Sequence, residues 1–288
     1  MSEELSRAAA DIDTQLLIDK LLACVRRRSS ALVAFSGGLD SALVLWACKQ
    51  TLGDLRVLAV TSVSPSFPES ERAEVENFAA YIGLDSSRLR FILTKEMEVA
   101  GYYENSPQRC YFCKSELYGE LEKIRSQENI DVIFDGANLS DLGDFRPGAR
   151  AAAENKVASP LLECGFDKPT VREIARALQL PVADKPASAC LSSRIPHGVT
   201  ITEDVLRQID RAESALKGLG FSGFRVRYHN EVARLELSAP DMRKLDDDAL
   251  RHQVARAVKN AGFRFVTLDL EGYRTGSLNP PEALKQEN

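Results

Sequence analysis

Apolar positions fall into two periods along the chain. Over Ile12 to Arg28 they recur at helical spacing and end in three arginines, which suit the negative end of a helix. Ala31 to Phe35 (ALVAF) is a short continuous apolar run that stops at Ser36-Gly37-Gly38. The following SALVLWACKQTLG then has the pattern of a buried helix closed by Gly53. RVLAVTSVS predicts the next strand, Glu69 to Ile82 a helix, Arg88 to Leu93 a strand, Tyr111 to Gln127 a helix, Asp131 to Asp135 a strand and Thr170 to Gln179 a helix. Strands alternating with helices predict an α/β fold, a parallel sheet with helices on both faces and ligands outside the strand C-terminal ends.

Beyond Pro186 the pattern changes. A loop-like stretch, PASACLSSRIPHGVTIT, leads into a helix over Glu203 to Leu219. FRVRYHNEVARLELS then alternates as two strands around a His-Asn turn, followed by a helix near Asp246 to Asn260 and a strand over Phe263 to Leu268. The expectation is a nucleotide domain over residues 1–190, a smaller C-terminal α+β domain over 191–278 concerned with substrate or oligomerisation, and a frayed tail over 279–288.

Composition adds exclusions. With 288 residues, two domains fit comfortably. A net charge of -5 argues against a dedicated nucleic-acid binder, although a local basic groove is compatible with it. The N-terminal stretch lacks an apolar targeting core, and no long apolar run occurs, so the expectation is a cytoplasmic protein that does not enter a membrane. Six cysteines are too few for a disulfide scaffold of this size. Cys24, Cys48 and Cys164 stand in apolar surroundings and read as small buried hydrophobes.

The most informative motif is Ser36-Gly37-Gly38-Leu39-Asp40-Ser41, between a predicted strand and a predicted helix. Glycines let the backbone approach a ligand, and the open N–H groups at a helix start attract an anion. The motif lacks both the Walker ending and the dinucleotide glycine pattern. It resembles the signature of the PP-loop ATP pyrophosphatases, whose fold is that of the adenine nucleotide alpha hydrolases. By that resemblance Ser36, Gly37, Gly38 and Ser41 would cradle ATP phosphates, and Asp40 would stabilise the loop or approach Mg2+. The bland alternative is a glycine turn that merely joins strand to helix. A second stretch runs from Asp135-Gly136-Ala137-Asn138 through Asp144-Phe145-Arg146-Pro147-Gly148. It reads either as metal and phosphate contacts, with Gly136 admitting the nucleotide, or as an ordinary surface turn.

Cys110 and Cys113 form a CxxC pair in NSPQRCYFCK, open to zinc, dithiol and cluster readings. Cys190 lies in a polar loop four residues before Arg194, an environment that favours thiolate. Taken together, SGGLDSA, NSPQRCYFCK, DGANLSDLGDFRPG, SACLSSRIPHG and FRVRYHNEVARLEL resemble the LarE family of ATP-dependent sacrificial sulfur transferases over nearly the whole chain. The resemblance implies adenylation of the carboxylates of pyridinium-3,5-biscarboxylic acid mononucleotide and their conversion to thiocarboxylates, for the nickel-pincer nucleotide of lactate racemase. In single-cysteine members the cysteine at position 190 surrenders its own sulfur. This chain departs from that pattern, and three converging thiolates (Cys110, Cys113, Cys190) would instead hold a 4Fe-4S cluster whose open iron takes sulfide from an external donor. Zinc joined by His197, a redox dithiol and a purely structural pair remain alternatives at this point. Ser193, Arg194 and Arg225, with Arg227 beside them, would bind the anionic mononucleotide. The resemblance also implies a homo-oligomer. Two other functions compete: a PP-loop tRNA thiolase, and a non-catalytic iron-sulfur or nucleotide-binding scaffold.

Overall fold

In a computed structural model that describes residues 2–143, 147–186, 189–274 and 277–278, the chain divides into two compact units. Neither is continuous in sequence. The first comprises Met1–Val63, Glu71–Thr94 and Cys113–Ser188, and the second Ser64–Ser70, Lys95–Phe112 and Ala189–Asn288. Of the motif residues singled out above, Asp144, Phe145 and Arg146 lie outside the described residues, as does the tail 279–288.

The first unit opens with α1 (Ser2–Arg26), which begins ten residues before the expected start. SEELSRAAAD is rich in Ala, Glu and Leu, so propensity sustains the helix where the apolar stripe has faded. β1 (Ala31–Ala34), α2 (Leu39–Leu52), β2 (Val57–Val63), α3 (Glu69–Tyr81) and β3 (Leu89–Leu93) follow. After the excursion that carries the short α4 (Ala100–Tyr103) come α5 (Arg109–Gln127) and β4 (Val132–Phe134). α6 (Pro147–Glu154), α7 (Pro160–Glu163) and α8 (Lys168–Ala177) complete it. The sheet is parallel, in the order β3-β2-β1-β4, with Ala31 opposite both Val57 and Val132. β1 is buried almost throughout, which is why it reads as an unbroken apolar run; β3, at the edge, leaves Leu93 exposed. α2 is apolar over most of its surface because most of it is covered, from Leu39 to Cys48 and again at Leu52, while Gln50 is exposed.

The second unit holds α9 (Glu203–Gly218), β5 (Phe224–His229), β6 (Val232–Leu237), α10 (Ala239–Lys244), α11 (Asp248–Asn260) and β7 (Phe265–Leu268). β5 and β6 form the expected hairpin, with Asn230 at φ 55° in its turn, and β7 adds to β6 in parallel. α9 starts on the Thr202 cap and buries Leu206, Ile209, Ala212 and Leu216, a stripe at helical spacing. Fully burying each of the three larger side chains contributes about 1.5–3 kcal/mol. None of the helices described is long and apolar enough to cross a membrane.

Candidate functional site

The motif 36–41 lies in the turn from β1 into α2, where the parallel sheet presents its strand C-terminal ends. Gly37 adopts φ +74°, a conformation that side chains resist. The turn is tied by its own serines: the Ser41 hydroxyl donates to the Gly38 carbonyl at 3.1 Å, lies 3.1 Å from the Ser36 hydroxyl and accepts the Ser36 N–H at 3.2 Å. Gly38 caps α2 without a side chain, so the amides of the first turn remain available to an anion. The Asp40 carboxylate takes an ion pair from Lys168 and a 3.3 Å hydrogen bond from Asn138 Nδ2.

Gly136 has a reason of its own to be glycine. A Cβ there would stand 2.6 Å from the Ser41 nitrogen and 2.9 Å from the Asp40 carbonyl carbon, so the turn after β4 presses directly on the first turn of α2. The adjacent Asp135 accepts from the Tyr118 hydroxyl at 3.0 Å and the Ser159 hydroxyl at 2.6 Å. Burial, with Asp135 beside it, pushes Tyr118 up to about 12, so it remains a donor. The hydroxyl lattice around the loop fits a phosphate cradle with the Asp40 carboxylate beside it, and what the missing Cβ of Gly136 admits is the first turn of α2.

The second unit brings the Cys110 and Cys190 segments together. Asn105, fully buried at φ 56°, donates through Nδ2 to the carbonyls of Ile195 (3.2 Å), Pro196 (2.7 Å) and Val199 (3.0 Å). Its Oδ1 accepts from Arg109 Nη1 at 2.6 Å, and the same nitrogen donates to the Ser192 carbonyl at 2.9 Å. The Tyr102 and Ser192 hydroxyls meet at 2.6 Å, buried. Thus the residue before Cys110 is bonded to the residue two beyond Cys190. Both thiols are exposed; Cys113, one helical turn along α5, is half-buried. Cys24, Cys48 and Cys164 are buried as expected, and burial pushes Cys24 up to about 12 and raises the other two. Among the described residues no three His, Cys, Asp or Glu side chains are gathered as a metal site.

Cys190 opens a short 3-10 turn (Leu191–Arg194) that Arg194 clamps. Its guanidinium pairs bidentately with Glu213 of α9 (Nε 2.9 Å, Nη2 2.8 Å), while Nη1 donates to the carbonyls of Ala189 (2.6 Å) and Cys190 (3.1 Å) and to the Ser193 hydroxyl (2.9 Å). Burial alone would lower its pKa, but Glu213 outweighs burial and the net is a raise. Arg194, expected as a substrate ligand, is therefore engaged in shaping the cysteine turn. Arg227, buried, donates to the Ser193 carbonyl at 2.8 Å and pairs with Glu236 at 2.8 Å. Arg225 lies over the Tyr273 ring at 5.0 Å, and burial followed by the charge of Arg194 lowers its pKa.

The sequence pattern did not point to Asn105, Glu213, Lys168 or Lys185. Asn105 alone left a signal, an Asn-Ser-Pro turn. The others look like surface charges until their partners are in place.

No protein-family model matches the chain. Similar proteins cover nearly its whole length. It is 41% identical over 249 residues to the protein slr1717 of Synechocystis sp., across 86% of this chain and 91% of that one. It is 36% identical over 261 residues to the pyridinium-3,5-bisthiocarboxylic acid mononucleotide synthase of Lactiplantibacillus plantarum, across 90% and 92%. To the protein MJ0830 of Methanocaldococcus jannaschii it is 28% identical over 249 residues, across 86% and 92%.

Proposed function

Because the chain belongs to the LarE family of pyridinium-3,5-bisthiocarboxylic acid mononucleotide synthases, we propose that it is the ATP-dependent sulfur transferase that makes this thiocarboxylate nucleotide. A carboxylate oxygen of pyridinium-3,5-biscarboxylic acid mononucleotide attacks the α-phosphorus of ATP. Pyrophosphate leaves and an acyl adenylate forms. Sulfide then attacks the acyl carbon, the bond to AMP breaks, and a thiocarboxylate results; the cycle repeats on the second carboxylate.

The 36–41 turn would receive the pyrophosphate end of ATP, with its serine hydroxyls and the first amides of α2 as donors. Asp40 would meet Mg2+, which neutralises the leaving charge when bound. Arg225 would attract the substrate phosphate, and Ser193 would add a polar contact. Cys110, Cys113 and Cys190 would hold a 4Fe-4S cluster, which when bound supplies an iron site for exogenous sulfide and spares the cysteines from being consumed. The observation that supports this reading is the Arg109 hydrogen bond to the Ser192 carbonyl, since it ties the segment that leads into Cys110 to the Cys190 turn within one unit. A homo-oligomer and an external sulfide donor complete the proposal.

The test uses anaerobically prepared full-length protein with ATP, Mg2+, sulfide and either the pyridinium nucleotide or tRNA. We expect pyrophosphate release and repeated turnover with the nucleotide alone. Activity confined to tRNA overturns the substrate, and Cys110→Ala protein that still turns over repeatedly overturns the cluster route.

A further inference from the structure

Lys185 lies outside every motif named so far, in the short segment between α8 and the Cys190 turn. Its side chain is only 15% exposed. Nζ pairs with Glu71 at 2.6 Å and with Glu74 at 2.7 Å, both on α3, and donates to the Gly37 carbonyl at 3.1 Å. Burial by itself would lower the pKa of this ammonium; Glu71 and then Glu74 outweigh burial and leave it raised, so the group stays a cation and a donor.

The Gly37 carbonyl and the Gly38 N–H belong to one trans peptide and point in opposite directions. Holding the carbonyl outward on Lys185 therefore faces the Gly38 N–H inward, where it lies 3.4 Å from the Ser36 hydroxyl. A glycine at φ +74° lets that peptide turn over at little cost, so its orientation needs an external lock. α3 forms the other side of the lock. A Cβ on Gly37 would fall 2.8 Å from Val75 Cγ2, so the turn rests against the helix whose carboxylates hold Lys185. Two carboxylates around one ammonium leave the cluster net negative, which suits a lysine retained beside the loop rather than one released to the phosphates.

We propose that Lys185 is a positioning residue that locks the Gly37–Gly38 peptide in the orientation that offers the Gly38 N–H to the nucleotide phosphates. The inference rests on the reading of the 36–41 turn as an ATP phosphate loop.

The full chain is compared as wild type, Lys185→Arg, Lys185→Met and the triple variant Lys185→Met/Glu71→Gln/Glu74→Gln. ATP–Mg2+ affinity is read from the ATP-dependent rise in melting temperature, and the KM for ATP and kcat from pyrophosphate release. Losing one hydrogen bond to a charged phosphate predicts about a 10- to 100-fold weaker ATP interaction in Lys185→Met. We expect the defect to persist in the triple variant, where the uncompensated carboxylates are gone, and Lys185→Arg to recover most of it. A triple variant that binds ATP as the wild type does reduces Lys185 to a counter-ion for α3 and overturns the proposal. A wild type whose melting temperature ignores ATP overturns the phosphate-loop reading itself, and this inference with it.

Discussion

At the scale of single residues, exposure separates five of the six thiols into two classes that composition alone cannot distinguish, with the half-buried Cys113 between them. Cys110 and Cys190 are exposed, while Cys24, Cys48 and Cys164 are buried with raised pKa values, so a reagent in solution reaches the first two and meets little thiolate at the other three. Brief alkylation of the folded, cluster-free protein, read by mass spectrometry, is expected to label Cys110 and Cys190 first and the buried three only on unfolding. Rapid labelling of Cys48 in folded protein contradicts this arrangement. The apolar neighbours of Cys24 and Cys48 already announced burial. Nothing local announced that Arg194 would be spent on Glu213 and on two carbonyls of its own turn, because an arginine in a polar loop reads the same whether it meets solvent, substrate or a distant carboxylate.

At the scale of elements, the principal helices and strands other than the start of α1 follow the apolar periodicity to within a few residues, whereas the short α4, α6, α7 and α10 do not announce themselves. Pieces of four to eight residues carry too few turns for a stripe to repeat. Packing between elements leaves a sharper test. Gly136→Ala forces a methyl group to within 2.6 Å of a backbone nitrogen that cannot yield without shifting α2. We expect a destabilisation of about 1–3 kcal/mol, with a loss of ATP affinity because the displaced residues are Asp40 and Ser41. Chemical denaturation reads the first effect, and titration with ATP the second. Unchanged stability would show that the turn after β4 does not bear on α2.

At the scale of the whole molecule, acid should remove stability in two stages. Burial followed by the Arg109 charge depresses His197, and burial followed by Arg234 depresses His229. A depressed histidine binds its proton more readily unfolded, so stability falls as pH drops below the ordinary histidine value near 6.5. Asp241 behaves differently: burial alone would raise it, but Lys244 and the N–H groups of Gly223 and Ser222 hold it low. Its contribution is present above the ordinary carboxylate range and is lost as pH falls through and below it. Melting temperatures measured downward from neutral pH should therefore decline first near pH 6 and again near pH 4, and His197→Gln with His229→Gln should flatten the first step. A first step of undiminished size in that double variant refutes the assignment.

The amino-acid order by itself determined the α/β architecture, the glycine turn between β1 and α2, and the burial of three cysteines. Each depends on residues close together in the chain, where spacing and chemistry act directly. Only the tertiary structure decided what holds those pieces in working order. Asn105 reaches across 94 positions to Val199, Lys185 across 148 to Gly37, and the excursions at 64–70 and 95–112 join a unit otherwise built from the C-terminal part of the chain. Such partners are chosen by the path of the folded backbone, and a pattern repeating every two or 3.6 residues contains no record of that path.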